Sequence, residues 1–294
     1  MNNNKESIRV HRVVPYRTQA LFVKVFFHLL AYVIGAIWLI PFLGLLMTSV
    51  RPFGEVANLG WWNLSEFTPS LANYIDAWFH TSYPIMQGMY NSLIVALPAT
   101  AVPIVLGSAA AYGFARFHFP LKNVVFTLTV VLMALPAQMI AIPLFQTMEA
   151  TGLLDTFISV IIVHTAWGMP WIMFFMRNFF DQLPKNVEES AVIQGASQLT
   201  ILLRIVVPMS VAALISAAVL QFLWVWSDFF FPLIFLFSSE KLVAVQRLPL
   251  LKGTHLVDWG LLSAGTVIVV SVPILIFAFL QRYYVRGMVG WTLR

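Results

Sequence analysis

Cysteine is absent from the chain, so neither a disulfide framework nor a thiolate metal site is open to it. Charge is scarce too: Asp, Glu, Lys and Arg make up 10% of 294 residues against 60% hydrophobic, with a mean hydropathy of +0.84. That is far more apolar surface than one soluble core needs, which marks a polytopic membrane protein. Catalytic signatures are missing as well. There is no G-x4-G-K-[ST] phosphate loop and no G-x-S-x-G elbow, and His164 has no partner at metal-ligand spacing. The chain is therefore expected to be no enzyme, to hold no cofactor or metal, and to hydrolyse neither ATP nor an ester by itself. A net charge of +5 does not point to nucleic acid, because the basic residues sit between apolar runs, where membrane topology accounts for them.

A helix crossing the hydrocarbon needs roughly 20 apolar residues. Six runs qualify, at about 22–50, 89–111, 124–145, 156–176, 209–237 and 260–280, which predicts an all-α protein with six transmembrane helices. The first run is too long for a signal-peptide core and lacks a small-residue cleavage site, so it reads as an uncleaved span. Around it the chain divides into an N-terminal arm (1–23), a six-helix domain (24–283) containing a polar loop at 179–208, and a tail (284–294). Six crossings put both ends on one side. Thirteen Lys and Arg fall on the side of the termini; four, Arg51, Lys241, Arg247 and Lys252, fall on the other. The positive-inside rule makes both termini and the 179–208 loop cytoplasmic in a multi-pass cell-membrane protein.

The long connection from Arg51 to Gln87 carries Trp61, Trp62, Tyr74 and Trp78 beside Glu55, Glu66 and Asp76; it suits either a partner outside the cell or anchoring at the membrane interface. Prolines 98, 103, 136, 143, 170, 208, 232 and 273 lie inside or at the ends of the runs and predict kinked helices. Asp228 is the one acidic residue deep within a run. An intramembrane carboxylate faces a wet path or a polar partner, so Asp228 either serves a translocation path or caps a helix broken before Pro232. Trp224 and Phe229, with Trp167 and Trp171 in the fourth run, offer faces on which a sugar ring can stack, although aromatic stripes also serve packing. Asn91, Gln138 and Gln221 complete the candidates for a substrate path, each also suited to an interhelical hydrogen bond.

The most patterned polar stretch is 188–208, EESAVIQGASQLTILLRIVVP. Glu189, Ser190 and Ala191 are followed by three residues, Gly195, nine residues, then Ile205, Val206, Val207 and Pro208. The stretch reads as a short helix starting near Val187, a break at Gly195 where only glycine takes a left-handed or closely approached backbone without cost, and a second helix up to Pro208. The plain alternative is an amphipathic connector lying on the membrane.

This stretch resembles the EAA motif, E-A-A-x3-G-x9-I-x-L-P, of permease subunits from binding-protein-dependent ABC importers. Residues 68–74 (TPSLANY), 91–96 (NSLIVA), 110–117 (AAYGFARF), 226–229 (WSDF) and 281–287 (QRYYVRG) are similar to the carbohydrate branch, the MalG-like permeases. The resemblance implies the type I importer (MetI-like) fold. It implies a coupling helix at 187–194 that docks on a cytoplasmic ATPase, with Glu189 as its polar contact and Gly195 as its turn. Glu188, Ser190, Ala191, Ala196, Ile205 and Pro208 are grouped with them. The implied partners are a second permease, two subunits that bind ATP and Mg, an extracytoplasmic sugar-binding protein, a sugar substrate and lipid, but no nucleic acid. Ser190, Gln194, Val207 and Ser227 depart from the residues usual in the family, and the end of the tail differs as well. The runner-up function is an ion-coupled secondary transporter, disfavoured by a single deep carboxylate and the lack of a 3+3 repeat.

Overall fold

The computed structural model describes residues 16–65, 67–252 and 257–289, and it is helical throughout. The expectations for Lys5, Arg9, Arg12, Glu66 and residues 290–294 lie outside the described residues. Four continuous helices are long and apolar enough to cross a bilayer: α1 (Tyr16–Ser49), α4 (Ile85–Arg116), α7 (Phe157–Phe180) and α13 (Trp259–Val289). Short helices α2 (Phe53–Leu59) and α3 (Ala72–Trp78) stand between the first two. The other two predicted spans are bent pairs, α5 (Lys122–Leu132) with α6 (Ala137–Ala150) at 96°, and α9 (Gln198–Met209) with α10 (Val211–Ser227) at 80°. Counting each pair once gives the six crossings read from the sequence. Between α7 and α9 lies α8 (Lys185–Ile193); α11 (Phe230–Phe235) and α12 (Ala244–Arg247) follow α10.

Of the kinks expected at proline, the sharp ones fall in the third and fifth spans. At 133–136 the chain reads Met-Ala-Leu-Pro, and Pro136 both lacks an N–H and disfavours helical backbone at Leu135, so α5 cannot run on into α6. The fifth span ends at Ser227 rather than at 237, because the carboxylate of Asp228 takes over as hydrogen-bond acceptor for the next helix. Proline alone does not break a helix here. Pro98 and Pro103 sit inside a continuous α4, and Pro170 and Pro273 inside α7 and α13.

Small residues let the bundle close without a hydrophobic drive between helices. A β-carbon on Gly107 of α4 would lie 2.8 Å from Ile172 of α7. Two buried clusters stack along this pair. One contains Tyr112, Met176, Phe180, Ile201 and Val206 at the end nearest α8. The other contains Val95, Val163, Phe222, Trp226, Phe231 and Phe235 towards the opposite end. The α1 helix packs on α13 and is otherwise a bare apolar rod, with 6% of its most apolar window buried.

At the end opposite α8, two of the four cations assigned to the sparse side are interior. Arg51 is fully buried, donating to the carbonyls of Gly60 and Asn63 with its guanidinium 5.0 Å from the Phe67 ring centre. Arg247 is fully buried and donates to Leu242 O (3.1 Å) and Ser239 O (2.6 Å). Both hold loops in place. The aromatic connection splits similarly: Trp61 packs under Gly44 and the Tyr74 hydroxyl bonds Ser49 at 2.7 Å, while Trp62 is exposed. Asp155 joins the turn before α7 to the chain after α11. Burial pushes its carboxyl up, but bonds from the Ser238 hydroxyl, the Phe237 and Ser238 N–H groups and Lys241 outweigh that and hold it far below the usual carboxylate range.

Candidate functional site

The 185–209 segment is an elbow, and each joint has a local cause. Helix α8 starts directly after Pro184, two residues before the expected 187. It ends in a Schellman closure: the Gly195 N–H donates to Val192 O (2.9 Å) and the Ala196 N–H to Ala191 O (3.0 Å), with Gly195 at φ +83°. A β-carbon at Gly195 would meet nothing within 4 Å, so this glycine supplies a left-handed backbone and not a close approach. Helix α9 then starts on Ser197, whose hydroxyl accepts from the Thr200 N–H at 3.2 Å. A π turn over Leu202–Val206 leads to the 80° bend at Ser210.

The motif residues divide between two faces. Ala191, Ala196 and Ile205 pack half-buried on the cluster of Phe180, Ile201 and Val206. Glu189, Ser190, Gly195 and Pro208 are exposed, although the Ser190 hydroxyl bonds back to Asn186 O at 2.8 Å. Val187, Val192 and, at the tip, Ile193, which is 87% exposed, are open as well. Glu188, grouped by sequence with the outward residues, faces inward. Its carboxylate is 2.6 Å from Arg116 Nη2, and Arg116 Nε lies 2.9 and 3.0 Å from its two oxygens. Arg116 Nη2 also donates to Phe180 O at 2.8 Å, and the Tyr112 hydroxyl donates to Gln198 Oε1 at 3.0 Å. Arg116, Tyr112, Ser197 and Gln198 were not singled out by sequence. For Ser197 a signal was present, a serine just past the glycine break and directly before the second helix.

The substrate-path candidates do not form one site. Trp167, Trp171 and Trp224 line a recess of ≈ 300 Å³ with Met133 and Leu220, at the break in the third span. Behind it, Gln221 is a fully buried joint. It accepts from Trp171 Nε1 (2.8 Å) and donates to Ala99 O (3.1 Å) and His164 O (3.4 Å), filling a space that a β-carbon on Gly168 would occupy. Asn91 is likewise spent on Glu240 O (2.7 Å) and Leu242 O (3.0 Å). Gln138 is exposed in the first turn of α6, and Phe229 is exposed between α10 and α11; neither lines the recess.

Asp228 caps α11, accepting the N–H groups of Phe230 (3.1 Å) and Phe231 (3.0 Å). Pro232 then falls in the first turn, where a missing N–H costs nothing. Buried His164, flanked edge-on by the Trp224 and Phe231 rings, brings Nε2 to 3.3 Å from Asp228 Oδ2 without hydrogen-bond alignment. Of the two readings open in the sequence, capping is the one the geometry displays. Asp228→Ala should cost about 0.5–2 kcal/mol, the usual value of an N-cap, and Asp228→Asn less than half of that. Thermal unfolding in detergent checks the order; equal stability of parent and Asp228→Ala would remove the capping role.

The family of binding-protein-dependent transport system inner membrane components matches residues 103–290. A probable ABC transporter permease of Pyrococcus horikoshii is 54% identical over 265 residues, covering 90% of this chain and 96% of that protein. The osmoprotective compounds uptake permease GgtD of Synechocystis is 38% identical, covering 91% of each chain. Among solved structures, a bacterial ABC transporter involved in import of the acidic polysaccharide alginate superposes with a TM-score of 0.76 at 19% identity, over 92% of this chain and 100% of that one, which shows a shared fold.

Proposed function

The chain belongs to the binding-protein-dependent ABC transporter permease family, and from that premise we propose that it passes a carbohydrate, delivered by an extracytoplasmic solute-binding protein, across a bacterial or archaeal cell membrane. As a permease it is not a catalyst; in its family ATP is bound by partner ATPase subunits, and the ion-coupled alternative falls away. In our reading the complete transporter pairs this chain with a second permease and two ATP-binding subunits, with both termini and the elbow in the cytoplasm. Closure of the ATPase dimer would push the exposed residues of α8, Glu189 and Ile193 among them, and swing the bundle between inward- and outward-open states.

One observation carries this proposal: an elbow with a Schellman closure at Gly195, a Ser197 cap on its second helix and an exposed apolar tip at Ile193. The recess of Trp167, Trp171 and Trp224 supports a sugar, because three indoles and no charged side chain line it, and ring faces suit the C–H faces of a saccharide. A small osmoprotective solute is the second reading, prompted by the Synechocystis relative. The complex, purified with its binding protein and analysed for retained solute, distinguishes the two. A retained saccharide, with uptake into vesicles that requires internal-side ATP, is the expected outcome. Uptake that persists without ATP and collapses with an ion gradient would overturn the proposal.

A further inference from the structure

Helix α8 is tied to the bundle through the chain at only two places, the turn 181–184 after α7 and the Schellman turn at Gly195 before α9. A lever held by two turns can pivot about them. What closes the third side is the end of α4, which is not adjacent in sequence to either turn. Arg116, the last residue of α4, uses Nε and Nη2 on the Glu188 carboxylate of α8, while Nη2 also reaches Phe180 O at the end of α7 (2.8 Å). One turn earlier, Tyr112 reaches Gln198 at the start of α9 (3.0 Å) and Glu188 (3.4 Å). The side chains of Arg116 and Glu188 are 9% and 10% exposed, so water hardly weakens the pair.

A single helix end thus grips all three pieces of the elbow. Two of the grips meet on one guanidinium, whose planar fork suits a carboxylate and a carbonyl at once.

We propose that Arg116 is a positioning residue for transport: by clamping Glu188 and the Phe180 carbonyl together it stops α8 pivoting, so that a push on α8 moves α4 and α7 with it. The proposal rests on the transporter reading above. Without the clamp, α8 keeps its exposed residues Glu189 and Ile193, neither of which bonds Arg116, but its motion is absorbed in the turns.

The absence of native cysteine makes a direct test practicable. Spin labels at Gln194→Cys, exposed at the end of α8, and Val105→Cys, exposed on α4, report the distance between lever and bundle in the complete complex in nanodiscs. In the parent a single distance is expected both without nucleotide and after trapping with MgATP and vanadate. In Arg116→Ala the nucleotide-free distance is expected to be unchanged, and a second, shifted distance to appear on trapping. Arg116→Lys, which keeps the charge but loses the fork, should show a smaller second population, and the exchange Arg116→Glu with Glu188→Arg, which restores the ion pair but leaves no N–H at 116 for Phe180 O, should return part of the single distance. Identical distances in parent and Arg116→Ala after trapping would overturn the clamp alone. So would a second distance already present without nucleotide, which marks a merely structural residue. A parent chain that co-purifies with no ATP-binding subunit would overturn the transporter reading and the clamp with it.

Discussion

Gly195→Pro is expected to abolish ATP-driven uptake while the protein still inserts into the membrane. Proline fixes φ near −65°, whereas Gly195 sits at +83°, and it removes the N–H that donates to Val192 O. Both the direction of the chain and half of the Schellman closure are lost together. A penalty of about 3 kcal/mol, usual for a misplaced proline, lowers the population of the intact elbow by about a hundredfold. The spans need not suffer, because the residue lies between α8 and α9 and its vicinity is open. That openness narrows the expectation drawn from sequence, which left both a left-handed backbone and a close approach as reasons for the glycine. Size is irrelevant at a position with nothing within 4 Å; handedness is what matters. Gly195→Asn should therefore transport at close to the parental rate, and Gly195→Val should fail although its side chain has room. Uptake into vesicles, compared at equal protein in the membrane, measures all three.

The largest effect on stability is expected at the other end of α4. Gly88→Leu would place a β-carbon 2.6 Å from Arg247 Cδ and 2.9 Å from the backbone Cα of Ala244. Arg247 is not free to swing aside, because it is buried and holds the carbonyls of Ser239 and Leu242, and the Ala244 backbone cannot yield without lifting α12. The same strip is fastened by Asn91 to Glu240 and Leu242, and by the Ala244 N–H to the Ser92 hydroxyl at 2.9 Å. Lifting it would expose several buried polar groups, each costing roughly 1–3 kcal/mol if unpaired, on top of roughly 1–3 kcal/mol of overpacking. The variant should unfold many degrees below the parent in detergent or fail to accumulate. Gly35→Leu, in the open on α1, is the control and should be near neutral. A Gly88→Leu protein as stable as the control would mean that α12 does not rest on α4.

Much of the architecture was legible because a bilayer leaves the chain few options. Six apolar runs gave six crossings, and four of them are single helices. The bends were harder to place, since hydropathy is blind to whether an apolar run keeps one helical axis: Pro136 bends the third span, while Pro98 and Pro103 leave α4 continuous. For the elbow, spacing located the glycine turn, yet it could not separate Glu188 from Glu189. Adjacent residues on a helix point about 100° apart, and only the arrival of Arg116 from a helix 72 positions earlier decides which carboxylate turns inward. The substrate-path list mixed two kinds of residue for the same reason. Asn91, Gln221 and Asp228 are open in sequence to a wet path or to an internal bond, and the backbone groups that each one bonds are what a one-dimensional reading cannot see. Only the indoles of Trp167, Trp171 and Trp224 share a recess.

The central claim is that the tip of α8 seats on a nucleotide-binding neighbour, and Ile193→Cys, the only thiol in the chain, tests it with a short thiol-directed photo-crosslinker. Illumination of native membranes should join this chain to an ATP-binding subunit, and the yield should change when MgATP and vanadate are added. Crosslinks to lipid or to the chain itself alone, unchanged by nucleotide, would contradict the account.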